Sequence, residues 1–233
     1  MSTFDRKSGR NPRAMAVMFA VLCAVAVAGC GSTGAYTQVS DSPTECTAQL
    51  RSATLPGWLS LFADHNWFVV YDPSEEAWHR WEVWVKEKEC VVKDFLHPDK
   101  GVGGGPYRIE REWRGDAARR ISDTLETSMA EYPHRDTYRV WPGPNCNTYA
   151  NWILKESKTS SDLGPKGIGK DYLGLLGAGT TSTRTGVQLE SPLVGLRIGL
   201  DDGVEVHVLC LTFGIDLFTP AIKTPLGRLG FPE

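Results

Sequence analysis

Fifteen consecutive residues, Ala14 to Ala28 (AMAVMFAVLCAVAVA), carry no charge, and Arg6, Lys7, Arg10 and Arg13 stand just before them. As helix the run is roughly 22 Å long at about 1.5 Å per residue, short of the roughly 30 Å hydrocarbon core of a bilayer. A basic start and a short apolar stretch are the layout of a cleaved export signal rather than of a permanent span. Val27-Ala28-Gly29-Cys30 then resembles a bacterial lipobox, in which small residues precede a cysteine that takes acyl chains of the palmitate type and becomes the new N-terminus. On that reading residues 1–29 are a lipoprotein signal peptide and Cys30 is the lipid attachment site. A plain signal peptide or a short membrane anchor that merely contains Cys30 is the alternative. Gly31 rather than Asp follows the cysteine, which points to the outer membrane, facing the periplasm, if the host is Gram-negative. Arg10 and Arg13 are not adjacent, so nothing supports twin-arginine export.

Charge agrees with export. The whole chain has 25 Lys and Arg against 28 Asp and Glu over 233 residues. Four of those cations and one acid lie in the first 29 residues, leaving 21 against 27 in the remainder. An acidic body is not the footprint of a nucleic-acid binder. Export also places the cysteines in an oxidising compartment. Cys46, Cys90, Cys146 and Cys210 remain after the leader and Cys30 are set aside, and they show no zinc-type spacing, so neither a metal nor another cofactor is expected. Of the three pairings four cysteines allow, Cys46–Cys90 is preferred, because both lie early in the domain among polar residues.

Residues 30–45 are small, polar and aperiodic and read as a tether, and residues 46–233 as a single domain. His65 to Tyr71 (HNWFVVY) is rich in β-branched and aromatic residues and ends at a turn signal, Asp72-Pro73-Ser74. Arg80 to Val85 and Cys90 to Phe95 follow as strands of an antiparallel meander, and Gly101 to Pro106 leads to a further strand at Tyr107 to Glu112. Ala118, Ile121, Leu125, Met129 and Tyr132 then fall at helical spacing, with Asp116 as cap and Pro133 as stop. A second helix is expected over 147–156, a glycine-rich loop over 163–185, and strands over 192–200 and 204–213 joined at Asp201-Asp202-Gly203. The mixture predicts an α+β fold, an antiparallel sheet with two main helices. Most of the eight tryptophans are expected in the core, and a minority reading makes Trp58, Trp78, Trp81 and Trp84 a binding face.

The stretch Tyr138 to Leu154 (YRVWPGPNCNTYANWIL) carries the chemistry. Pro142-Gly143-Pro144 turns the chain, and Cys146 then falls where a helix begins. Unpaired amides at a helix N-terminus stabilise a thiolate and can hold an oxyanion during acyl transfer. Papain-like hydrolases and acyltransferases place their nucleophile this way. The base would be His65 or His207. Cys146 before His207 is the order of ordinary NlpC-type peptidases; His65 before Cys146 is that of their circularly permuted branch. Glu82 is the candidate for orienting the imidazole. A simple hairpin about residues 73–76, with His65 opposite Val85, would put Glu82 on the wrong face. Trp67, Asn145, Asn147, Lys170 and Asp171 are candidate lining residues of the same pocket, although an exposed charged pair on a loop is the default for the last two. The bland reading makes Cys146 a packed or disulfide-bonded cysteine and His65 a structural residue.

LFADHNWFVVYD, YRVWPGPNCNTYANWI, GIGKDYLG and VEVHVLCLTFGIDLFTPAIKTPLGRLG together resemble the blocks of the bacterial family named domain of unknown function 3750, from about Leu59 to Gly230. The resemblance implies that His65 and Trp67 fall on a His-x-Trp motif, Glu82 on an acidic strand position and Cys146 on an Asn-x-Asn-Thr motif. It also implies that serine commonly stands at the position of Cys146 and that histidine is not called for at 207, which favours His65 as the base. Two functions remain in view. One is a Cys-His hydrolase or acyltransferase acting on a peptide, a peptidoglycan stem or a lipid. The other is a non-catalytic envelope lipoprotein that binds a partner or ligand through the same pocket or a tryptophan-rich face.

Overall fold

The structure, a computed structural model, describes residues 43–85 and 88–231. The leader, Cys30 and most of the tether lie outside the described residues. Two antiparallel sheets and two helices make an α+β protein. The first sheet has five strands in the order β4-β3-β2-β1-β5. They are β1 (Thr47–Thr54), β2 (Asp64–Asp72), β3 (Ala77–Val83), β4 (Val91–Lys93) and β5 (Arg108–Arg114). Strand β1, which the sequence reading left unassigned, pairs with both β2 and β5 and so lies inside the sheet.

Helices α1 (Gly115–Glu131) and α2 (Cys146–Glu156) cover one face of this sheet. Ala118, Ile121 and Leu125 of α1 and Tyr149, Ile153 and Leu154 of α2 pack on Ala48, Leu50, Phe68, Val70 and Trp81 as one apolar core. Met129, expected on the buried face of α1, is half exposed, and Ser128 takes the inward position with its hydroxyl on Tyr149 Oη at 2.8 Å. Asp116 lies in the first turn of α1 and pairs with Arg119 rather than capping it. The opposite face carries Trp67, Val69, Arg51, Arg80 and Glu82, all buried. Arg51 and Arg80 hold the segment that covers them: Arg51 Nη1 donates to Pro98 O (2.9 Å), and Arg80 Nη1 to His97 O (3.2 Å).

The second sheet is a seven-stranded meander in strict chain order, β6 (Gly177–Thr180), β7 (Gly186–Glu190), β8 (Val194–Gly199), β9 (Gly203–Val208), β10 (Leu211–Asp216), β11 (Ala221–Thr224) and β12 (Gly227–Gly230). The turn expected at Asp201-Asp202-Gly203 is present, with Gly203 at φ 71°. The strand expected over 204–213 is two strands, because Leu209 and Cys210, both at positive φ, close a tight hairpin. The glycine-rich region expected as loop contains β6.

The preferred Cys46–Cys90 bridge is not formed, and Cys46, Cys146 and Cys210 are free thiols. Cys46 adjoins β1 and Cys90 adjoins β4, three strand positions away. At about 4.8 Å per strand that is at least roughly 14 Å sideways alone, twice the reach of a disulfide.

Candidate active site

Cys146 is the first residue of α2, placed there by its neighbour. The Asn145 side chain accepts from the backbone N–H of Asn147 (2.9 Å) and Thr148 (3.2 Å), and Thr148 Oγ1 accepts in return from Asn145 N–H (3.0 Å). This reciprocal cap satisfies amides that the helix itself cannot. Asn145 Nδ2 also donates to Val140 O and Ile168 O, fixing the approach of two loops. Gly169 lies against this cap at φ 81°, and a Cβ there would stand 2.5 Å from Asn145 Nδ2, so only glycine fits. Asn147 bonds across to β2, accepting from Asn66 Nδ2 (2.9 Å) and donating to Asp64 O (3.1 Å).

These bonds bring the start of α2 to the start of β2. There the Cys146 thiol and the His65 imidazole come close enough to interact electrostatically, the thiol donates to Asn147 Oδ1 (3.7 Å), and Glu82 Oε2 lies 3.3 Å from His65 Nε2. Glu82 therefore takes Nε2, which leaves Nδ1 as the nitrogen available to the thiol. The objection about Glu82's face is met by the register. Asp72 pairs with Ala77 and Phe68 with Trp81, so the register sets Glu82 across from Trp67. Trp67 shares its face with His65, and Glu82 shares it too. The turn spans residues 73–76, as the sequence suggests, but the pairing across it continues to His65 opposite Trp84 rather than Val85, so the expected obstacle came from a register one residue out.

The electrostatics are those of a charged pair. Burial alone would lower the His65 pKa, but the Cys146 thiolate and the Glu82 carboxylate outweigh it and push the imidazole up to about 9. Burial alone would raise the Cys146 pKa; the His65 imidazolium and the backbone N–H groups of Asn66 and Asn147 hold it below the ordinary thiol value. Glu82, fully buried, is opposed by burial yet held below the carboxylate range by His65 and by Arg80, whose Nη2 donates to Oε2 at 2.7 Å. Arg80 stacks on the Trp67 ring at 4.4 Å, and that ring stacks on His65. Trp67 is thus a wall of the site, and Asn145 and Asn147 are its framework.

Tyr138 is a member that the sequence reading passed over. It lies close enough to Cys146 to feel the thiolate, and burial together with that charge pushes its pKa well above the usual value. Asn66 was also missed. Neither has a local signal beyond lying within the segments already singled out. The site is nearly closed: Cys146 keeps 7% of its surface and His65 8%.

Lys170 and Asp171 do not join this group. They are buried rather than exposed, in an ionic network under the second sheet. Arg197 Nη1 meets Asp162 (2.9 Å) and Asp171 (3.1 Å), and its Nη2 meets Asp202. Lys170 Nζ meets Asp162 (2.8 Å) and Glu205 (3.4 Å), and Lys223 Nζ meets Glu205 (2.6 Å). His207, the other histidine considered as base, belongs here too, with Glu190 Oε1 at 2.8 Å and Glu205 Oε2 at 3.2 Å. Burial would lower its pKa, but Asp171, Glu190 and Glu205 push it up to about 10. Asp171, Glu205 and His207 could together hold a metal, their ligand atoms lying within 4.8 Å of one another. Lys170 and Arg197 already occupy the same oxygens, so a dication there would face two buried cations. Of the four tryptophans that the minority reading made a binding face, Trp81 is in the core and Trp58 is exposed.

No curated protein and no solved structure matches the chain. The model of the family described as protein of unknown function (DUF3750) matches residues 45–172, which takes in the first sheet, both helices and every member of the Cys146 site, and stops before the second sheet. The chain belongs to the DUF3750 family.

Proposed function

We propose that this protein is a cell-envelope lipoprotein, held to the membrane through acyl chains on Cys30, whose domain uses Cys146 and His65 to hydrolyse or transfer an acyl group at an amide or ester. The observation that carries the reading is the meeting of Cys146, His65 and Glu82 from α2, β2 and β3, with the thiol pKa lowered and the imidazole pKa raised. Cys146 Sγ attacks the carbonyl carbon as thiolate, the tetrahedral oxyanion collapses, and the bond to the leaving amine or alcohol breaks. His65 gives its proton to that leaving group. Water or an acceptor hydroxyl or amine, deprotonated by His65, then releases the acyl group and regenerates the thiolate beside the imidazolium. Glu82 keeps the imidazole oriented, and the Tyr138 hydroxyl stands beside the sulfur. The chain order His65, Glu82, Cys146 agrees with a circularly permuted papain-like arrangement. A peptide, a peptidoglycan stem or a lipid is the substrate class that suits a tethered envelope protein.

The near-complete burial of Cys146 favours the second reading, a lipoprotein that binds a ligand or partner without turning it over. Incubation with activated esters of short and long acyl chains separates the two. Intact-mass spectra should show a thioester on Cys146 in the wild type, none in Cys146→Ala, and a slowly forming one in His65→Ala. Absence of any acyl adduct across the ester series would reject the catalytic reading.

A further inference from the structure

The second sheet is built inside out. Along β8 and β9 the charged or polar residues Arg197, Glu205 and His207 face inward and are buried, while Leu196, Ile198, Val204 and Val206 alternate with them and face outward. Ile215 and Ile222 continue the pattern on β10 and β11, and these six side chains keep between 41% and 58% of their surface. Inward positions not taken by a charge are often glycine; Gly195 is one, since a Cβ there would run into the Glu190 carboxylate. No charged side chain faces outward from β7 to β11. The resulting aliphatic face is on the order of 1,000 Å², beyond the roughly 300–600 Å² of the largest patch on an ordinary monomer. Charge on the folded side and aliphatics on the open side is the alternation of a sheet whose outer solvent is lipid.

We infer that this face of the second sheet lies on the membrane surface. The strands are too short to cross it: six residues in β8 and β9 against about 9–11 in a spanning strand. The sheet therefore rests in the interfacial layer. The length of chain outside the described fold favours lipid over a second copy. Cys30 lies 16 residues before the last residue ahead of β1, Cys46, a span of at most about 58 Å at 3.3–3.6 Å per residue. Trp141, Phe218 and Phe231 sit exposed at the ends of the strands, and Trp141 Nε1 is tied to Leu209 O at the β9–β10 turn (3.0 Å). Aromatic residues in such places suit the headgroup layer. The choice of membrane rests on the lipoprotein reading; the inside-out sheet does not.

The test uses the full chain, wild type and Cys30→Ser, in vesicles of phosphatidylethanolamine and phosphatidylglycerol doped with a phospholipid bearing a photoreactive diazirine in its acyl chain. Mass spectrometry reads two things separately, acylation of Cys30 and lipid cross-links along the chain. Cross-links on residues 186–229 are expected, and the outward double variant Ile198→Glu/Val206→Glu should reduce them roughly tenfold or more. Ile198→Ser/Val206→Ser, milder for folding, should reduce them less. Cross-links confined to the N-terminal segment would overturn the inference while leaving the anchor intact. Sheet cross-links in a wild-type chain whose Cys30 carries no lipid would uphold the inference and reject the anchor. A stable dimer whose sheet face cross-links only to its twin would overturn it.

Discussion

Glu82→Gln tests how the site is held together, because the change keeps the side chain's shape and removes only its charge. Glu82 Oε2 accepts from Arg80 at 2.7 Å and faces His65 Nε2 at 3.3 Å, with both Glu82 and Arg80 buried. Leaving a buried charge without its partner typically costs 3–5 kcal/mol. Here the amide oxygen still accepts one bond, and Arg80 Nη1 keeps His97 O and Lys100 O. The expected loss is therefore smaller, about 2–3 kcal/mol at neutral pH. Because Glu82's pKa is depressed in the folded state, its stabilising contribution is present above the unfolded carboxylate value of 4.5 and is lost as pH falls through the folded value. The difference between wild type and variant should accordingly shrink in acid. The second consequence falls on His65, which loses a carboxylate that favours its charged form. Its titration midpoint should drop by about one unit or more, each unit being about 1.4 kcal/mol. Urea unfolding and imidazole NMR titration read the two effects. An unchanged His65 midpoint together with a stability change under about 0.5 kcal/mol would refute the argument that Glu82 is coupled to both partners.

Arg197→Met removes the guanidinium that holds Asp162, Asp171 and Asp202; Asp202 then keeps no cation on its carboxylate, and Asp162 and Asp171 keep only Lys170 and His207, so unfolding free energy should fall by about 3–5 kcal/mol in urea titration. His207, raised to about 10 from 6.5, stabilises the fold fully below pH 6.5 and loses that contribution as pH rises towards 10. Wild-type stability should therefore decline over that window by on the order of 3–5 kcal/mol, and His207→Gln should flatten the slope. Gly169→Ala forces a side chain onto Asn145 Nδ2 at a positive φ, so the cap of α2 should loosen at a cost of about 1–3 kcal/mol, seen in thermal unfolding and in slower acylation of Cys146.

The Cys146 site was more legible in the chain than its surroundings. Pro142-Gly143-Pro144 followed by Asn145 located the helix start, because turn and cap residues act over a few neighbours and leave local marks. His65 and Glu82 were nameable as types on strands. Their shared face follows from pairing Asp72 with Ala77 across the turn at 73–76, and a register one residue out is enough to hide it. Strand β1 escaped notice because TAQLRSAT carries Gln49, Arg51 and Ser52 at positions that the fold buries against specific partners, so its polarity does not alternate with solvent. Lys170 and Asp171 misled for the same reason. Their partners, Asp162, Arg197 and Glu205, are distant in the chain, and no spacing records a buried network assembled across a sheet. The outward aliphatics of the second sheet were visible as alternation, but alternation alone does not say which face meets the solvent.

The central claim is that Cys146 and His65 form a thiolate–imidazolium pair. Such a pair holds the same number of protons as the neutral thiol and imidazole, so stability against pH would not reveal it. Ultraviolet absorbance of the thiolate does, as a titration of wild type minus Cys146→Ser. The thiolate midpoint should lie below the ordinary thiol value of 9.0 and should rise in His65→Ala, where burial is opposed only by the amides of Asn66 and Asn147. A wild-type midpoint at or above 9.0, or one indifferent to the loss of His65, would contradict the pair and leave Cys146 a packed thiol at the head of a helix.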